Sequence, residues 1–241
     1  AHASREDDYA REGMGWMLDT IYRSMRVSTL MTSTLQVLSG FLIFTKVVGK
    51  IDDAAIAAGA AASYNGAATT IIIEVLSATF VSCLAFGTAT ATLVGQSMGR
   101  GEPETAERYA WTSVKLGILI FGVVGLLMFL FPAKVLGAFS HEPNVIAVGI
   151  MPMRIMAGMG PVIATAMILT QALFGAGNTR FVMVAELILH FCVFVPLAWI
   201  FGITLKMGLI GIWWAGVVYA GLLAIVMTLK FRSGDWKKIK L

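Results

Sequence analysis

Long apolar runs separated by short polar turns dominate this chain. Runs at about 28–48, 66–97, 112–132, 147–174, 181–203 and 208–229 are each long enough to cross a ~30 Å hydrocarbon core as a helix. They are continuous rather than alternating. The pattern therefore predicts an all-α fold, an integral membrane bundle of about six transmembrane helices, and not a β-barrel. Pro152, Pro161 and Pro196 fall inside spans. Each frees a backbone carbonyl that must find another partner. Before the first span, Trp16, Met17, Ile21 and Met25 stand among charged residues and predict an amphipathic helix on the membrane surface.

Residues 51–66 fit this pattern least well. They are Ala-rich and are interrupted by Asn65-Gly66. A single helix from Ala54 to Met98 would run for about 68 Å at 1.5 Å per residue, far more than a bilayer needs. The segment is then interfacial or an extra span. The charges favour the interfacial reading, because both ends of the chain are basic and an even number of spans puts both in the cytoplasm. Of the 18 Lys and Arg residues, four (Lys46, Lys50, Lys134 and Lys206) fall on the outer side in this topology. Arg154 lies within the fourth span, and the rest are cytoplasmic, as the positive-inside rule requires.

Composition agrees with the runs. Hydrophobic residues make up 58% of the chain and charged ones 13%, against about 25% charged in a soluble domain. The net charge of +4 follows from topology and gives no reason to expect nucleic acid. Cys83 and Cys192 form no CxxC and predict neither a disulfide framework nor a zinc site; they read as small packing residues.

Ionisable side chains inside apolar runs are costly and mark functional positions by default. Glu186 and His190 are four residues apart and share a helix face. They could hold a proton or supply ligands to a small cation, or they could form a structural hydrogen-bonded pair. Glu74 is a further carboxylate for coupling to a cation or proton, nearer the outer edge of its span. Arg154 reads as structural, capping carbonyls near Pro152 or snorkelling outward. Gln36 and Gln171 are candidates for a substrate cavity.

Gly95-Gln96-Ser97-Met98-Gly99 matches G-x-S-x-G, but a nucleophile elbow needs a preceding strand. Here a transmembrane helix precedes it, and His190 lies too deep in its own span to serve Ser97 as a base. No HExxH, P-loop or dinucleotide fingerprint occurs. The expectation is a protein that is not an enzyme. Gly87, Ala91 and Gly95 instead recur every four residues, which lets a neighbouring helix approach closely.

ATATLVGQSMGRGEPETAERYAW, residues 89–111, resembles the cytoplasmic loop of the multidrug and toxic compound extrusion (MATE) transporters. QALFGAGNTR, 171–180, resembles that family's second signature, with Phe174 where Arg is common and Asn178 where Asp is common. LIGIWWAG, 209–216, and FRSGDW, 231–236, resemble the last span and its basic end.

The resemblance implies two six-helix lobes around a central cavity and export of organic cations or drugs in exchange for Na⁺ or H⁺, with no other cofactor. This chain then corresponds to the C-terminal lobe. Residues 1–27 are an interlobe linker, 28–230 the lobe and 231–241 a basic cytoplasmic tail. Its partners are a small-molecule substrate, the lipid bilayer and a second six-helix lobe, on the same polypeptide or in a dimer, with no nucleic acid. The expected location is the inner (plasma) membrane, multi-pass, with both termini cytoplasmic. A lipid-linked flippase and a transport-inactive scaffold lobe are the alternative readings.

Overall fold

The computed structural model describes residues 46–53, 56 and 64–239. The surface helix expected over 1–26, most of the first span, Gln36 and most of 54–63 lie outside the described residues. A short helical piece, α1 (46–53), opens the described chain. It is followed by α2 (Asn65–Gly99), α3 (Pro103–Leu130), α4 (Pro132–Gly137), α5 (Pro143–Gly158) and α6 (Gly160–Gly175). Two more apolar helices close the bundle: α7 (Thr179–Thr204) and α8 (Gly208–Arg232). A short 3₁₀ turn, Asp235–Lys238, ends the described tail.

Among the described residues, α2, α3, α7 and α8 are long and apolar enough to cross a membrane. The pair α5–α6, bent by 50° at its break, passes the same test only when taken together, as one broken span or a re-entrant loop. The Asn65-Gly66 interruption is the start of α2. Asn65 donates a side-chain hydrogen bond to Asp52 Oδ1 at 3.0 Å, which ties the end of α1 to the beginning of the next span. The third span begins earlier than its apolar run. The helix starts at Pro103, nine residues before Thr112. Proline pre-organises the first turn, and Glu104, Glu107 and Arg108 carry α3 out of the apolar layer.

The fold is organised around α6, which packs against α2, α3 and α8. Lipid tails are as apolar as leucine, so helices in a bilayer associate through close packing rather than exclusion of water. The Gly87–Ala91–Gly95 stripe supplies that closeness. A Cβ on Gly175 would lie 2.2 Å from the Ala91 carbonyl oxygen, and one on Gly87 would lie 2.8 Å from Gln171 Cγ. The bend between α5 and α6 is pinned in the same way. A Cβ on Gly125 would meet the Ala157 oxygen at 2.4 Å, and one on Gly160 the Phe121 oxygen at 2.7 Å.

The two signature stretches form the same turn. After α2, Gly101 takes φ +73° and Glu102 N–H donates to the Ser97 carbonyl at 2.9 Å. After α6, Gly177 takes φ +80° and Asn178 N–H donates to the Leu173 carbonyl at 2.9 Å. Both are Schellman caps, which need a left-handed residue that glycine adopts without penalty.

A clasp closes the tail-bearing end of the bundle. Trp236 is fully buried, stacks on Phe231 with centroids 4.7 Å apart, and donates its indole N–H to the Phe231 carbonyl at 2.7 Å. Trp111 of α3 meets Phe231 edge-on at 5.7 Å. Lys237 pairs with Glu107 and Glu104 of α3. These carboxylates, Glu107 foremost, hold the Lys237 ammonium above its ordinary range.

Gly175→Ala drives a methyl group into a backbone carbonyl and should cost about 1–3 kcal/mol, read as a lower melting temperature in detergent. Gly221, which has open space around its missing side chain, is the matched control. Gly221→Ala should be neutral or gain up to ~1 kcal/mol of helix propensity. Equal melting temperatures for the two variants would contradict the packing account.

Candidate functional site

The inward face of α7 repeats every four residues. Val182, Glu186, His190, Phe194, Ala198 and Gly202 are all buried. In a regular α-helix a four-residue repeat drifts by about 40° each time, so this stripe would rotate off the face. Two π-helical stretches, Leu189–Phe194 and Ile200–Thr204, widen the turn and hold the stripe in place. The i→i−5 bonds are explicit: Val195 N–H donates to the His190 carbonyl, and Leu205 N–H to the Ile200 carbonyl at 2.8 Å. Pro196, which has no N–H for the Cys192 carbonyl, stands two residues after the end of the first stretch. The irregularity expected at Pro196 therefore takes the form of wider turns, which π-bulges often supply at functional positions.

His190 is enclosed by aromatic rings: Phe191 at 5.4 Å, Phe194 at 5.3 Å and Tyr219 of α8 at 5.7 Å. Glu186 lies one turn away, with 9% of its surface exposed. Among the described residues no hydrogen bond or ion pair reaches its carboxylate. Thr170 of α6 is another buried polar group, and among the described residues its hydroxyl has no hydrogen-bond partner. Glu186 and His190 thus share a face, as their spacing requires, and that face lies inside the lobe.

Glu74 is placed differently. It is exposed on α2, on a face that also presents Thr70, Ser77, Ala78, Val81, Ala85, Thr88, Thr92 and Gln96. These positions cluster within one sector at 100° per residue. The hydroxyls of Thr70, Ser77, Thr88 and Thr92 donate to the carbonyls four residues earlier at 2.7–3.0 Å. Their oxygens still have lone pairs facing outward. The exposed face of α3 differs sharply: Leu116, Leu119, Ile120, Val123, Leu126 and Leu130. The α3 face suits lipid tails. The α2 face does not, because polar groups in hydrocarbon are costly.

Gln171 is not with Glu74 on that face; its side chain fills the space over Gly87. Arg154 caps no carbonyl among the described residues. It is exposed, and its guanidinium stands 6.0 Å from the Phe129 ring centroid. Cys83 is buried as a packing residue, whereas Cys192 is exposed on α7 and does not pack inside the lobe. Ser97 is buried within continuous helix and donates its hydroxyl to the Leu93 carbonyl at 2.9 Å. The polar face of α2 is the feature that single-residue reading missed. Its signal was present as Thr, Ser, Glu, Ala and Gln recurring at three- and four-residue steps.

Residues 29–200 match the MatE family. The chain is 29% identical over 203 residues to the probable multidrug resistance protein NorM of Thermotoga maritima, across 83% of this chain and 41% of that protein. It is 31% identical over 180 residues to the probable multidrug resistance protein NorM of Caulobacter vibrioides, across 72% and 37%. The chain thus spans less than half the length of these curated relatives. Among solved structures, an outward-facing multidrug resistance MATE transporter of the MOP superfamily superposes with a TM-score of 0.78 at 15% identity, over 92% of this chain and 47% of that one. The MATE transporter ClbM in complex with Rb⁺ also gives 0.78, at 19% identity, over 95% and 52%.

A carboxylate buried without a partner costs stability. Glu186→Met, which keeps the side-chain length and removes the charge, should therefore raise stability by about 1–3 kcal/mol, measured as thermal unfolding of the purified protein. A fall of similar size would identify Glu186 as half of a structural pair.

Proposed function

The chain belongs to the MatE family, and from that premise we propose that it is one six-helix lobe of a secondary antiporter that exports organic cations or drugs in exchange for Na⁺ or H⁺. The observation that carries this reading is the polar, exposed face of α2. A wall of Thr, Ser and Gln with one carboxylate, interrupted by Val81, suits a water-filled passage closed by a second lobe, on the same polypeptide or in a dimer. In this arrangement residues 1–27 link the lobes, 28–230 form the lobe and 231–241 form a cytoplasmic tail. Both termini are cytoplasmic, and the membrane is the inner (plasma) membrane. The NorM relatives support a drug-like cargo by their name, and ClbM supports a monovalent cation by the Rb⁺ bound to it.

Two carboxylates take different parts. Glu74, on the passage wall, attracts the cationic cargo. Glu186, inside the lobe with His190 one turn away, holds the exchanged proton or cation. Filling and emptying a buried anionic position changes the charge inside the lobe, and transport couples to that change only if the two states differ in their affinity for cargo.

The test is efflux of a fluorescent organic cation from proteoliposomes containing the complete two-lobe transporter, driven by an imposed Na⁺ or H⁺ gradient. Efflux should follow one of the two gradients and stop when it is collapsed. Glu186→Gln should lower gradient-driven efflux by about 5–150-fold, the span of ordinary coupling energies, while cargo binding persists. Glu74→Gln should weaken cargo binding itself. Wild-type efflux by the Glu186→Gln transporter would remove Glu186 from the coupling role, and efflux independent of both gradients would overturn the antiport reading.

A further inference from the structure

The outward face of α3 changes chemistry along its length, in a way that the transport reading does not use. From Leu116 to Leu130 the helix carries no polar side chain, and Leu119, Leu126 and Leu130 are exposed. Nearer the tail clasp, Arg108, Thr112 and Lys115 are exposed as well. At 100° per residue these six positions fall within about 60° of one another, on one line down the helix. Trp111 is where a third cation joins them. It lies three residues after Arg108 and four before Lys115, so it neighbours both on the helix surface. Arg232, exposed at the end of α8, holds its guanidinium 5.6 Å from the centroid of the Trp111 ring. Among the described residues none of these three cations has a carboxylate partner. The two carboxylates on this part of α3, Glu104 and Glu107, both pair with Lys237.

Cations around one turn, with an unbroken aliphatic row next to them, fit a ligand that has an anionic head and an apolar tail. Lys115 is the last charged residue before the apolar run, so it marks the level where the span meets the interface. Helical side chains lean toward the N-terminus, which inclines Lys115 toward the turn of Trp111, and a long basic side chain keeps its head at headgroup level. The row from Leu119 to Leu130 runs for about 16 Å, the depth of one leaflet of a ~30 Å core. A free phosphate would use the cations and leave that row uncovered. The acidic stretch Glu6, Asp7, Asp8 and Glu12 of this chain would do the same. A zwitterionic lipid would cover the row but brings its own cation. We propose that the Arg108–Trp111–Lys115 face of α3, completed by Arg232 of α8, binds an anionic phospholipid. Its phosphate lies among the three cations, and an acyl chain runs along Leu119, Leu126 and Leu130. The site is on α3 and separate from the passage wall on α2, so it holds whatever the cargo.

The experiment is native mass spectrometry of the full-length protein taken from vesicles of equimolar phosphatidylglycerol and phosphatidylcholine. Wild type should retain phosphatidylglycerol in preference to phosphatidylcholine. Arg108→Gln, Lys115→Gln and Arg232→Gln should each reduce that retention about fivefold, as expected for one basic group near an anionic headgroup. Lys115→Arg should retain the lipid as wild type does. Lys134→Gln, on α4 beyond the other end of α3, should leave retention unchanged. So should Glu6→Gln, Asp7→Asn, Asp8→Asn and Glu12→Gln made together. If Arg232→Gln fails to fold, Arg108→Gln and Lys115→Gln, at exposed positions of α3, carry the same reading. Equal retention of the two lipids by wild type, or undiminished retention in any folded Gln variant of the three, would overturn the proposal. A gain of phosphatidylglycerol on neutralising the acidic stretch would overturn it too, by showing that this stretch covers the cations.

Discussion

The contact between α2 and α6 is the constraint on which the rest of the lobe depends. In a bilayer every backbone polar group must be satisfied within its own helix, and little apolar surface is gained by bringing two helices together. Association then relies on atoms that approach closely over a long interface. Gly175 against the Ala91 carbonyl, and Gly87 under Gln171, provide that approach. With α2 fixed on α6, α3 and α8 pack on the remaining sides of α6, and the outward faces of α2 and α3 are set. One of those faces carries most of the exposed hydroxyls and Glu74, and the other is largely aliphatic.

The same constraint explains the irregular helices. A Pro inside a span withdraws a donor, and a bend leaves carbonyls without partners. The chain accommodates the bend by close packing and the Pro on α7 by wider turns. The α5–α6 break is held against α3 through Gly125 and Gly160. On α7 the π turns around Pro196 keep a single four-residue stripe on the inner face. Glu186 and His190 are carried into the lobe by that geometry, and their depth follows from the local helix type as much as from the residues themselves.

At the tail-bearing end, a few polar and aromatic contacts replace close helix packing. Trp236 and Lys237 fold back over α3 and join the end of α8 to its beginning. The exposed ion pairs there add little alone. The buried indole, satisfied by the Phe231 carbonyl, contributes more, because a large ring is removed from water with its one donor paired. The described part of the tail is therefore an ordered element of the lobe.

The sequence by itself determined the class of the fold and the positions of most elements. Apolar run length fixes where a helix can cross a membrane, and this alone located α2, α7 and α8, with Pro161 marking the break after α5, whereas Pro152, also expected to break the span, lies inside continuous α5. Small residues at four-residue spacing foretold the tight α2 crossing, and the two Gly-containing signatures foretold its turns. Only the tertiary structure decided which way polar residues face. Glu74, Gln171 and Glu186 are all polar groups in apolar helices, indistinguishable by composition, yet they sit on an open wall, over a glycine and inside the lobe. The start of α3 and the position of Arg154 near the Phe129 ring were decided at the same level. Facing depends on helix rotation, and rotation is set by which neighbours a helix packs against and by turns such as those on α7, neither of which is encoded within one span.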